Sequence, residues 1–90
     1  MKFEWDDAKG AMNVSKHGVT FEEAASVFGN SLAATLPDPD HSLGQHRWLT
    51  VGYSRLGRLL VVAHAESDSM LRIINARLAT AHERNRYESD

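Results

Sequence analysis

The sequence has no cysteine, which excludes disulfide staples and thiolate metal sites and suits a reducing compartment. No charged-then-apolar leader opens it, and no apolar run approaches the ~20 residues needed to span a bilayer. The expectation is a soluble, cytoplasmic protein. Also absent are an internal repeat, a heptad, a Gly-rich phosphate loop, a G-x-S-x-G elbow and an H-E-x-x-H helix. The missing phosphate loop argues against nucleotide hydrolysis. Ninety residues make one domain, residues 1–90, with a single core of one sheet layer and one helix layer.

The formal charge of −2 hides an asymmetry. Residues 1–42 hold three Lys and no Arg against seven acids, whereas residues 43–90 hold seven Arg and no Lys against five acids. Arg is favoured where a planar partner such as phosphate is recognised, because its fork of donors is rigid. The same composition is also compatible with Arg that decorates solvated strands.

Phe3, Glu4 and Trp5 alternate as a short strand, and Asp6 or Asp7 can cap a first helix over residues 7–17. Its weak apolar face and Gly10 leave packing to hold that helix, and Lys16 and His17 meet the negative end of its dipole before Gly18. His17 reads as a capping cation or as a general acid–base. A second helix is marked by a Thr20 to Glu23 capping box and by Phe21, Ala24, Ala25 and Phe28 at core spacing, with Gly29 and Asn30 tolerating positive φ at its exit. A weaker strand covers residues 32–36 and ends at Pro37. Asp38, Asp40 and His41 have the composition of a metal cluster, and a metal hydrolase is a third functional reading, but no second His or acid stands at ligand spacing.

Residues 47–54 and 58–64 read as an antiparallel hairpin joined near Leu56 and Gly57. The second strand is apolar on both faces and therefore central. His64 continues the face of Leu60 and Val62, as a hydrogen-bonded core residue or as a catalyst. Beyond residues 67–69, a last strand from Met70 to about Ala79 completes a meander. Arg72 and Arg77, five positions apart, are expected on opposite faces of it. Thr80 and Glu83 form a capping box for a C-terminal helix that carries Arg84 and Tyr87. The fold class is α+β: a small antiparallel sheet, built of the three-strand C-terminal meander plus N-terminal strands, packed on two N-terminal helices with a third at the C-terminus.

Taken together, F-E-W-D from Phe3, N-x-x-K-H-G-V-T-F-E-E-A from Asn13, G-R-L-L-V-V from Gly57, and L-R-I-I-N-A-R followed by A-T-x-x-E-R-x-x-Y resemble the BrnT family of type II toxin–antitoxin toxins. The resemblance spans nearly the whole chain. It implies a RelE-like fold, cleavage of RNA without metal or cofactor, inhibition of translation, and a BrnA-type ribbon-helix-helix antitoxin whose complex with the toxin binds promoter DNA. A homodimer or a heterotetramer with the antitoxin is the implied assembly.

Such cleavage needs the 2′-OH deprotonated, the charge on phosphorus held and the 5′-oxygen protonated. Arg72, Arg77 and Arg84 suit the second task, while His17, His46, His64 and Tyr87 are candidates for proton transfer. Arg47 and Arg58 are candidate RNA contacts. Trp48 and Tyr53 are either stacking surfaces for a base or buried hairpin aromatics. The chain departs from the family pattern at Gln45, His46, Ser67 and Ala81. Either His46 takes over proton transfer, or the chain is a weak nuclease retained as an antitoxin-binding module and promoter co-repressor.

Overall fold

The computed structural model describes residues 2–39 and 46–89. Asp40, His41 and Gln45 lie outside the described residues. Helix α1 (Asp7–His17) begins where the Asp6 carboxylate accepts the N–H groups of Ala8 and Lys9, and it stops at Gly18, whose φ of 68° lets its N–H reach Val14. A side chain at Gly18 would strain that left-handed backbone. Helix α2 (Phe21–Ser26) starts on Thr20, whose hydroxyl accepts Glu23 N–H. It leaves through a 3-10 turn (Val27–Gly29), with Asn30 at φ −90°. The expected positive-φ exit is therefore not used. The tighter turn brings Asn30 N–H to Val27 O, and Asn30 Oδ1 accepts Leu32 N–H.

Among the described residues, five strands form one sheet in the order β1-β5-β4-β3-β2. They are β1 (Lys2–Glu4), β2 (Ala34–Pro37), β3 (Trp48–Tyr53), β4 (Leu59–Ser67) and β5 (Met70–Leu78), followed by α3 (Ala81–Glu88). Strand β1 pairs parallel to β5 and every other pairing is antiparallel. The meander is as expected, with β4 in its centre. Val19, Phe21, Ala24 and Val27 pack on Leu60, Val62, Leu71 and Ile73 to make the core on one face of the sheet. At Gly52 a Cβ would come within 2.8 Å of Ala33 Cβ and 3.0 Å of Val27 Cγ1, so only glycine lets the 3-10 turn approach β3.

One irregularity decides how the charges are arranged. The β4–β5 register shifts between Ala63 and His64: Ala63 faces Asn75 while His64 faces Ile73, which leaves Ile74 as an extra residue. Simple alternation places Arg72 and Arg77 on opposite faces, and the bulge overturns that expectation. Arg72 lies beside Ala65 and Arg77 beside Val61, four residues apart on β4, so both arginines leave the open face away from α1 and α2.

Beyond Arg72 the outer edge of β5 has no strand neighbour among the described residues, and α1 takes that place. The buried Asn13 accepts Ala76 N–H at 3.1 Å and donates to Ala76 O at 2.8 Å and Val19 O at 2.9 Å. Its amide thus does for β5 what a further strand residue does elsewhere in a sheet. Asn13→Ala leaves three buried backbone groups unpaired and is expected to lower the unfolding free energy by about 3 kcal/mol. Urea denaturation with an unchanged m-value measures it.

Candidate active site

Where α1 meets the edge of β5, a groove of about 780 Å³ is lined by Lys9, Met12, Lys16 and His17 from the helix and by Asn75 and Arg77 from the strand. Positions 9, 12 and 16 are three and four residues apart, so they share one helix face. No carboxylate is among the described residues that line the groove. Lys16 and His17 occupy the last turn of α1, where the helix dipole favours cations. The result is a positive trough with an imidazole, His17, at one end and an arginine on its wall.

Arg77 is fixed on that wall by Glu83. Its Nη1 and Nη2 donate to Glu83 Oε1 and Oε2 at 2.7 and 2.9 Å. Glu83 Oε1 also accepts Thr80 N–H at 2.9 Å, while Thr80 Oγ1 accepts Glu83 N–H at 3.1 Å. The expected capping box is therefore complete, and its carboxylate also orients the arginine. The Arg77 guanidinium holds the Glu83 carboxyl down at about 2. Because the pair is end-on, the Nε–Nη2 edge of the fork still presents donors suited to a second anion.

The other candidate residues are dispersed. Arg72 is 3.7 Å from Glu4, and Arg84 is 4.0 Å from Glu88 and 3.5 Å from Tyr53 Oη. These long, half-exposed pairs are screened by water and yield readily to a stronger anion. Tyr87 Oη donates to Leu32 O at 2.8 Å, and Tyr53 donates to Glu88, which raises the Tyr53 pKa above its ordinary value. Both phenols thus fasten α3 across the open face. His46 is exposed ahead of β3, at the end of the sheet away from Arg77.

His64 is 1% exposed on the face covered by the helices. Its Nε2 meets Thr50 Oγ1 at 2.7 Å, Thr50 meets Thr35 at 2.7 Å, and the Phe28 ring stands edge-on to it. Burial pushes its pKa down. The core reading of His64 holds, and its ring does not open on the groove. Trp48 lies opposite His64 on the same face, so it is turned away from the open side that Tyr53 shares. Arg47 has its Nε buried and its carbonyl on Asp38 N–H.

Arg58 serves the fold, since its Nε donates to the buried Glu23 at 2.9 Å and its Nη2 donates to Glu23 and to Gly18 O. Ser54 donates to the same carboxylate at 2.7 Å. The Arg58 bond is the main cause holding the Glu23 pKa below its ordinary value. The expected capping box at Thr20 is only half formed, because this carboxylate turns to Arg58 rather than back to the helix start.

Lys9, Asn75, His82 and Arg86 did not stand out in the sequence, and Lys16 stood out only as a cation at the end of α1. The spacing of the two lysines around Met12 carried a signal for the groove. His82 and Arg86 are one turn apart on α3 and line a second cleft, of about 760 Å³, over Leu36, Leu49, Val51 and Val61. Among the described residues no group of three or more His, Cys, Asp or Glu gathers as a metal site, and no helix is long and apolar enough to cross a membrane.

Residues 5–83 match the family model described as the ribonuclease toxin BrnT of a type II toxin–antitoxin system. Among solved structures, the chain is similar to the 1.1 Å crystal structure of the Brucella abortus ribonuclease toxin BrnT, with 24% identity and a TM-score of 0.69 over 89% of this chain and 97% of that one. The likeness establishes the mixed α+β fold. Comparison with curated proteins finds no match.

The Glu83 carboxyl, ordinarily near 4.5, sits at about 2 in the folded protein. A lowered folded pKa stabilises above the unfolded value, and that stability is lost as pH falls through the interval below it. Glu83→Gln is expected to destabilise at neutral pH and to flatten the acid limb between about pH 5 and about pH 2, read from unfolding midpoints across that range.

Proposed function

This chain belongs to the BrnT family of ribonuclease toxins of type II toxin–antitoxin systems, and from that premise we propose that it is a metal-independent endoribonuclease whose cleavage site is the cationic groove. It acts in the cytoplasm, inhibits translation by cutting RNA, and is neutralised by a BrnA-type ribbon-helix-helix antitoxin through which it reaches promoter DNA. The observation that carries this reading is the meeting of His17 and Arg77 in one trough, beside Lys9 and Lys16, with Glu83 held at the opposite end of the Arg77 fork.

In the proposed reaction, His17 takes the 2′-hydroxyl proton while the oxygen attacks the adjacent phosphorus. The added negative charge is held by the Nε–Nη2 edge of Arg77 and by Lys16. As the P–O5′ bond breaks, the leaving oxygen gains a proton from solvent at the open mouth, which yields a 2′,3′-cyclic phosphate and a 5′-hydroxyl. Asn75 offers its amide to the sugar or base. Glu83 acts through Arg77 and is a positioning residue.

Each of Arg72, Arg77 and Arg84 already faces a carboxylate, and this favours one alternative: a weak or degenerate toxin that grips its antitoxin and tunes promoter repression. Overexpression without harm, together with copurification of a small ribbon-helix-helix protein, identifies that case.

Purified protein is expected to cleave RNA in EDTA-containing buffer, with His17→Ala and Arg77→Ala each lowering the rate at least about tenfold. His46→Ala is the counter-test: a comparable loss there moves proton transfer out of the groove. Absence of any cleavage by the free protein removes the nuclease reading.

A further inference from the structure

We infer that the cleft between α3 and the open sheet face is the docking site for an amphipathic helix with an acidic flank, carried by the antitoxin. This deepens the partner reading above and rests on it. Three strands supply the floor through Leu36, Leu49, Val51 and Val61. No residue of α3 is buried, so the helix roofs the cleft without filling it. Polar tethers hold it instead, from Arg77 to Glu83, from Tyr87 to Leu32 and from Tyr53 to Glu88. Leu36 and Leu32 remain 44% and 77% exposed at the mouth. Such apolar surface on a soluble protein marks a place where something binds.

Charge selects the occupant. Glu83, the carboxylate among the lining residues, is closed off by Arg77, which leaves Arg86 to set the sign of the rim. A partner of matching chemistry is apolar on one side and acidic beside it. A second copy is less well matched, because the described lining of this patch offers Arg86 no carboxylate other than Glu83, which Arg77 already holds. RNA fits less well than protein: the floor is aliphatic rather than a flat stacking surface, and the Tyr87 ring is engaged edge-on with Tyr53.

The edge of β2 decides between a helix and an added strand. Asp38 N–H donates inward to Arg47 O, so in the antiparallel ladder Thr35 and Pro37 turn their backbone groups outward. Pro37 has no N–H to give. A strand finds a poor ladder there, whereas a helix seats through side chains alone.

The test coexpresses the full chain with the protein encoded by the adjacent reading frame and measures affinity by titration. Leu36→Glu and Arg86→Glu, with thermal unfolding unchanged, are each expected to weaken the complex at least about tenfold. Lys16→Glu in the groove is expected to change affinity less than about twofold while abolishing RNA cleavage. Wild-type affinity retained by both cleft variants overturns the docking site while leaving the partner reading intact. Failure of the wild-type chain to bind that protein overturns both. Loss of RNA binding or of self-association in the cleft variants, with antitoxin affinity unchanged, assigns the cleft to another occupant and overturns the proposal.

Discussion

A single extra residue in β5 governs where this molecule carries its charge. Ile74 breaks the alternation of a strand that otherwise sends its two arginines to opposite sides, and the shift turns Arg72 and Arg77 onto one face. It also disturbs the edge of β5 just where β1 stops pairing. There Asn13 closes the backbone of Ala76 and ties α1 alongside. Without that docking Lys9, Lys16 and His17 have no fixed relation to Arg77, and the trough between helix and strand does not exist. Bulges next to functional surfaces re-aim side chains in this way.

Two guanidinium–carboxylate pairs show how the same chemistry serves different ends. Glu23 is buried, so removing its charge from water is costly unless partners replace the lost hydration. Arg58 and Ser54 do so, and the bond to Gly18 O joins the end of α1 to the hairpin. Glu83 is partly exposed and ties the start of α3 to the end of β5 through Arg77. Arg77 lines the groove and Glu83 the cleft, so one side of the pair holds a helix while the other edge of the fork borders the groove.

Elements that depend on local chemistry were legible in the sequence. Asp6 caps α1, the Thr20 hydroxyl caps α2, the Thr80 to Glu83 box is complete, and the apolar run of β4 is central in the sheet. The family motifs spanned these same elements. What escaped was set by distant partners. Period-two counting cannot see the bulge at Ile74, because it arises from the register against β4. The destination of Glu23 depends on Arg58, 35 residues away. Arg-rich composition in the second half left phosphate contacts and solvated decoration both open, yet Arg58 is engaged in the fold and the lysines of α1, in the acidic half, line the groove.

The manner in which α3 is attached has a dynamic consequence. A helix with no buried residue, fastened by hydrogen bonds that water can replace, lies at the low end of the local-stability range. Its detachment would leave the core intact, since the core cluster contains none of its residues. Amide protons of α3 are therefore expected to exchange sooner than those of β4, and the width of the cleft beneath it to follow that opening.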